Sequence, residues 1–313
     1  MGRMPHVCHR PRRDHQVMNT LIAAPTTSST ARENPWDAVL TDGHASLVRA
    51  RRLFRYLPSE PRCKLCNNPF GGVAGRVLSV AGFRPSRKNP NLCSRCCDAL
   101  PGGGAEVDVA VLFADVRGST ALGRRGAATD FASLLNRFYG AATHSLLRHD
   151  AVIDKLIGDE VMAFFVRGIS GPHYRERAVR AGLDLLAAVG DDGDGEPWLQ
   201  VGVAVNAGTA FVGNVGEQVV DFTALGDTVN VCARMQGHAA GGELLVASGV
   251  ADDLVGHAQR RTLRLRDRPQ PLDAFVLGAG GSPALRPPAR AASRPRAAAG
   301  PDRYGCPAPR TCR

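Results

Sequence analysis

Phe113-Ala114-Asp115-Val116-Arg117-Gly118-Ser119-Thr120 closes a run, Val107 to Phe113, that is apolar enough for a buried strand. An acidic residue ends the strand, and a small-residue turn starts a helix directly after it. That order suits a hard cation and a phosphate together. The Asp115 carboxylate can hold the cation, while free backbone N–H groups at Gly118, Ser119 and Thr120 face phosphate oxygens. Taken alone, the segment reads equally as an Asp that ends a strand and a Ser/Thr helix cap.

Working outward, helical sequence continues to about Leu147. Ala151–Lys155 and Val161–Val166 then read as two short strands around Ile157-Gly158-Asp159-Glu160, whose Gly-Asp suits a hairpin turn. By itself Asp159, at the tip, is an ordinary turn residue. Arg175–Val189 has helical apolar spacing, and Trp198–Val205 with Thr209–Val215 reads as a second hairpin. Asp227 is expected to cap a helix from Thr228 to Gln236, with Gly237 just past its end. Glu243–Ala247 is a further strand, and Arg261–Leu265 with Leu272–Leu277 forms a last pair. Helices mixed with hairpins predict an α+β sheet domain with antiparallel pairs rather than a doubly wound parallel sheet.

From about Asp108 to Leu277 the chain resembles the catalytic domain of the class III adenylate and guanylate cyclases. The resemblance rests on the Phe113–Thr120 motif, on Asp154-Lys155-Leu156-Ile157-Gly158-Asp159-Glu160-Val161-Met162-Ala163, on Gly202–Gly216, and on Thr223–Met235 (TALGDTVNVCARM). It implies a ferredoxin-like, mixed, largely antiparallel sheet with helices packed on it. It also implies that Asp115 and Asp159, with the Val116 carbonyl, bind two Mg²⁺ or Mn²⁺ ions. One ion would activate the ribose 3′-hydroxyl of ATP and the other would hold the leaving pyrophosphate. Asn230 and Arg234 match the pair that positions ribose and stabilises charge on the α-phosphate. Their i, i+4 spacing independently puts both on one helix face. The family builds each site from two subunits, which implies a homodimer.

Lys155 and Thr223 match the family's two base-selecting positions. Adenine offers an acceptor at N1 and a donor at its 6-amino group, whereas guanine offers a donor at N1 and an acceptor at O6. A lysine ammonium only donates, so it suits adenine N1 and favours ATP. Thr223 is less decisive, because a hydroxyl accepts from the adenine amino group or donates to guanine O6. The Thr form resembles a bacterial subgroup in which bicarbonate stimulates activity. Adenylate cyclase is thus the expected activity; a guanylate cyclase and a nucleotide-sensing regulator without turnover are the alternatives.

Composition sets the surroundings. The 313 residues carry a net charge of +10, but from Glu106 to His257 there are 20 acidic and 11 basic residues, so the excess of positive charge lies in the flanks. The pI is therefore no argument that the central domain binds nucleic acid. With no run of ~18 to 20 apolar residues and no apolar leader, the expectation is a cytoplasmic protein without a membrane segment. Residues 1–45 lack apolar periodicity and are expected to be disordered. Residues 279–313 are expected to form a disordered basic tail, and 105–278 the catalytic domain. Leu47–Tyr56 reads as a brief amphipathic helix.

Residues 46–100 hold Cys63-x-x-Cys66 and Cys93-x-x-Cys96. Paired thiols with Gly and Pro turns between them suit a tetrahedral Zn²⁺ site in a small zinc-ribbon-like module. An iron–sulfur cluster, with Cys97 as a substitute ligand, and redox-active disulfides are the rivals. Lying just before the first catalytic strand, the module suits a regulatory or dimer-orienting input. Its basic residues keep a zinc-dependent nucleic-acid-binding regulator open as a further alternative.

Overall fold

The computed structural model describes residues 34–41, 45–54, 56–57, 61–87, 89–125, 127–190, 197–216, 221–255 and 258–278, all in the first of two compact units, residues 1–283. The expectations for residues 1–33 and for the basic tail lie outside the described residues.

The apolar run read from the sequence is the middle of β1 (Gly103–Val116), which pairs antiparallel with β3 (Glu160–Val166) on one side and β4 (Val201–Val215) on the other. The sheet runs β2 (Val152–Ile157), β3, β1, β4, β6 (Glu243–Ala247), β8 (Leu272–Gly278), β7 (Gln259–Leu263), with β5 (Asp221–Leu225) paired to β4. Of the named pairings only β4 with β6 is parallel. This is the mixed, largely antiparallel sheet expected.

Every residue from Val109 to Ala114 is buried because both sheet faces are covered. Side chains alternate along β4, and the alternation tells which helix lies on which face. Val203 packs toward Gly182 of α8 (Tyr174–Gly190), whereas Asn206 donates to the Thr228 carbonyl of α9 (Asp227–Gln236) and Gly208 abuts the Thr228 side chain. α8 and α9 therefore sandwich the sheet. α5 (Ser119–Arg125) follows the first acidic turn, and α6 (Ala128–Arg148) packs on α8. A short helix, α7 (Arg167–Ser170), follows β3, and α10 (Asp252–Val255) precedes β7.

Ahead of the sheet come α1 (Pro35–Leu40), α2 (Ala45–Phe54), α3 (Gly72–Val80) and α4 (Ser94–Asp98). The first corrects the expectation of disorder through residue 45. Asn34 caps α1 by accepting from the Trp36 amide at 3.1 Å and donates to the Gly104 carbonyl at 2.8 Å. Trp36 is 1% exposed and stacks on Phe222 of β5, ring centroids 5.7 Å apart. Trp36, with Val39 and Leu40 buried beside it, supplies the burial that orders this helix.

Two further expectations change. Trp198–Val215 is no hairpin: Val201–Val215 is one strand, in unbroken register with β1. Gly208 lies where the turn was expected, but a Cβ there would stand 2.9 Å from Thr228 Oγ1, so glycine at that position admits a helix. Asp227 does not cap α9, whose cap is Gly226 without a side-chain hydrogen bond; its carboxylate pairs with Arg268 at 3.2 Å. Among the described residues no helix is long and apolar enough to cross a membrane.

Candidate active site

Asp115 is the penultimate residue of β1, and Asp159 occupies the turn between β2 and β3. The Val116 amide donates to the Asp159 carbonyl at 3.2 Å, so the two acidic turns are tied together by backbone. Gly118 and Gly158 take φ of +72° and +60°, a left-handed conformation that glycine adopts without penalty. Open space lies where a Gly118 Cβ would stand, and the turn presents bare backbone beside Ser119 and Thr120.

Burial first, then the Asp159 charge, push the Asp115 acid up, while Gln236 and Arg117 pull it down. Glu160, opposite Asp115 in the ladder, is also raised by burial and by both aspartates. Asp115 and Glu160 stay raised even with a guanidinium at hand, and this excess of negative charge beside Asp159 fits divalent cations held by Asp115 and Asp159. The cation at hand is Arg117, with Nη1 3.3 Å from Asp115 Oδ2 and Nη2 donating to the Gln236 carbonyl at 2.6 Å. Sequence reasoning passed over Arg117 and Glu160, as well as Tyr139, whose hydroxyl donates to the Gly158 carbonyl and braces the Asp159 turn. Gly202 was the available signal for Arg117, since a Cβ there would collide with its guanidinium.

A second cluster joins the two base-selecting motifs. Lys155 Nζ donates to Thr223 Oγ1 at 3.0 Å and to Asp154 Oδ1 at 2.9 Å, and lies 3.2 Å from Asp221 Oδ2. Thr223 Oγ1 in turn donates to Asp154 Oδ2 at 2.6 Å. The Asp154 side chain is wholly buried. Adjacent residues of a regular strand point to opposite faces, but β2 shifts register between Ile153 and Lys155. That bulge lets Asp154 and Lys155 both reach Thr223.

Asn230 and Arg234 are exposed on α9, and Arg234 donates to the Arg266 carbonyl at 2.7 Å. Among the described residues, no hydrogen bond or ion pair links Asp115 or Asp159 to Lys155, Thr223, Asn230 or Arg234. One chain presents the parts as separate groups.

The four cysteines do converge. Cys63, Cys66, Cys93 and Cys96 are buried, with all their sulfurs within 4.8 Å of one another. Cys66 Sγ and Cys93 Sγ stand 3.8 Å apart, too far for a disulfide. A tetrahedron of ~2.3 Å Zn–S bonds has edges of about 3.8 Å, so the spacing fits a single ion. A multi-iron cluster would hold the sulfurs farther apart, and Cys97 is outside the group. Amides of Cys93 and Cys96 point at Cys63 Sγ and Cys93 Sγ, at 3.2 and 3.4 Å. Hydrogen bonds from the other three thiols hold Cys63 well below the usual thiol range, whereas Cys93 and Cys96 are pushed up, chiefly by Cys63. Packed thiols that share protons in this way suit a dication that takes them all as thiolates. The group docks on the sheet: Asn89 accepts from the Ile153 amide at 3.0 Å, and Asn91 donates to the Ala151 carbonyl at 3.2 Å.

Comparison with known proteins follows this geometry. The family profile described as "Adenylate and Guanylate cyclase catalytic domain" matches residues 105–269. The uncharacterized protein Rv1319c of Mycobacterium tuberculosis is 33% identical over 168 residues, 53% of this chain and 28% of its own length. A second uncharacterized M. tuberculosis protein, MT1359, is 33% identical over 212 residues, 65% of this chain and 36% of that protein. The chain thus spans roughly a third of these curated relatives. Among solved structures, the guanylyl cyclase Cya2 superposes with a TM-score of 0.53 at 26% identity, covering 58% of this chain and 98% of that one.

Proposed function

This chain belongs to the family of adenylate and guanylate cyclase catalytic domains, and from that premise we propose that it is an adenylate cyclase, converting ATP to 3′,5′-cyclic AMP and pyrophosphate at sites shared by two copies of the chain. The observation that carries the reading is the 3.0 Å contact between Lys155 and Thr223, side chains 68 residues apart in sequence. It brings a donor for adenine N1 beside a hydroxyl for the 6-amino group. Asp221, with its side chain 37% exposed, is the Lys155 partner that yields to the base.

Asp115, Asp159 and the Val116 carbonyl hold two Mg²⁺ or Mn²⁺, which supply Lewis-acid activation of the 3′-hydroxyl and neutralise phosphate charge when bound. Gly118, Ser119 and Thr120 offer backbone to the triphosphate. Asn230 of the second copy positions the ribose, and its Arg234 guanidinium stabilises charge that builds on the α-phosphate. Two features support sharing. The groups are unlinked within one chain, and Leu156, Ile157 and Leu225, beside the recognition residues, are 42%, 59% and 45% exposed. We assign the four-cysteine group to structural zinc, on the 3.8 Å sulfur spacing, and a regulatory input to its docking on β2.

The test is to incubate the purified chain with Mn²⁺ and either ATP or GTP and to quantify both cyclic nucleotides, with Asp159→Ala as control. Cyclic AMP that vanishes in the variant is the expected result. The likeness to a guanylyl cyclase makes GTP the second reading, and dominant cyclic GMP would establish it. No cyclic product from either nucleotide would leave a nucleotide-sensing regulator. Bicarbonate added at fixed pH checks the stimulation implied by Thr223.

A further inference from the structure

A threonine hydroxyl is ambiguous as a base reader, because it can donate or accept. The surroundings of Thr223 remove the ambiguity. Its single proton is directed at Asp154 Oδ2, 2.6 Å away, and the competing acceptor, the Ala224 carbonyl, is at 3.4 Å. One of its lone pairs accepts a hydrogen bond from Lys155 Nζ at 3.0 Å. What remains is a lone pair, which accepts and cannot donate. Asp154 can hold this arrangement because its side chain is wholly sequestered from solvent, and because the β2 bulge places it on the same side as Lys155.

We propose that Asp154 is a specificity-positioning residue: it fixes the Thr223 hydroxyl as an acceptor, so that the site takes the adenine 6-amino donor and refuses the guanine O6 acceptor. The inference rests on the reading of Lys155 and Thr223 as base-recognition residues. It makes selectivity a property of the Asp154–Thr223 pair rather than of Thr223 alone.

Replacing the carboxylate by its isosteric amide inverts the polarity. In Asp154→Asn the amide oxygen must face Lys155, since the amide nitrogen would meet the ammonium donor to donor. The amide N–H₂ is then turned toward Thr223, which accepts from it and releases its own proton for guanine O6. The ATP-over-GTP preference should fall roughly tenfold, the upper scale of one neutral hydrogen bond. In a Thr223→Val background the same change should leave the preference where Thr223→Val alone puts it.

The experiment measures kcat/KM for ATP and GTP with Mn²⁺ on the full chain, and in parallel equilibrium binding of 3′-deoxy-ATP and 3′-deoxy-GTP, which cannot cyclise. Wild type, Asp154→Asn, Thr223→Val and the double variant are compared. The ratio is taken within each sample, so a partly folded variant still reports it. A shift toward guanine that vanishes without the Thr223 hydroxyl supports the proposal. An unchanged ratio in Asp154→Asn, with both nucleotides weakened alike, overturns it and leaves Asp154 a structural residue. A shift that persists in the Thr223→Val background overturns it too. Failure of the adenylate cyclase reading looks different: wild type would prefer GTP or make no cyclic product, while the deoxynucleotide ratios still report whether Asp154 sets the polarity of Thr223.

Discussion

Asn89 Oδ1 accepts the Ile153 amide at 3.0 Å, so a side chain of the four-cysteine segment completes the outer edge of the sheet. β2 is the edge strand, and two residues further on it carries Lys155. Asn89→Ala leaves that buried amide without a partner, which costs about 1–3 kcal/mol. Urea unfolding should show the loss, and steady-state kinetics should show a raised KM for ATP. An unchanged KM would mean that the module stabilises β2 without touching nucleotide recognition.

The cysteine group should bind one zinc ion per chain. Elemental analysis of the purified protein should find it, and Cys66→Ser should lose the metal and lower the melting temperature, since a site that exists only in the folded chain makes metal binding contribute directly to folding. Iron in place of zinc would change the assignment, and a metal-free, fully stable protein would end it.

Asp115→Ala and Arg234→Ala should each be inactive alone. Mixed in equal amounts, half of the randomly paired dimers are mixed, and each mixed dimer has one intact site of two. About a quarter of wild-type activity should therefore return. A mixture as inactive as its components would show that sites are not shared.

Trp36→Ala removes a fully buried ring that stacks on Phe222, which itself meets Phe164 edge-on at 5.6 Å. The expected loss is ~3–5 kcal/mol of stability, read by thermal unfolding. Because Thr223 follows Phe222 directly, nucleotide affinity should weaken along with stability.

Burial pushes the Cys232 thiol up to about 12, and its Sγ donates to the Val111 carbonyl at 3.2 Å. The native protein should therefore resist alkylation at Cys232 under mildly alkaline conditions, followed by mass spectrometry of its peptide. Labelling should begin only in denaturant, at the unfolding midpoint.

Much of the candidate site is legible without coordinates, through motifs that resemble the cyclase domain. The Asp115 and Asp159 turns, the Asn230–Arg234 face and the two Cys-x-x-Cys pairs each lie in a few consecutive residues, where strand ends, hairpin glycines and helical spacing follow from local backbone chemistry. The longer helices and most strands follow for the same reason, whereas the short helices Pro35–Leu40, Gly72–Val80, Ser94–Asp98, Arg167–Ser170 and Asp252–Val255 do not. Among the strands the exception is Val201–Val215, one strand where two were expected, in which Gly208 serves the close approach of α9 rather than a turn. The sequence by itself thus determined which chemical groups are present and in what order. The tertiary structure alone decided that Trp36 joins the core, that Asn89 closes the sheet edge, and that Asp154 orients the hydroxyl of Thr223, 69 residues away. Those contacts depend on a bulge, a buried ring and a docked loop meeting in space, and no local pattern encodes which distant partner a buried polar atom finds.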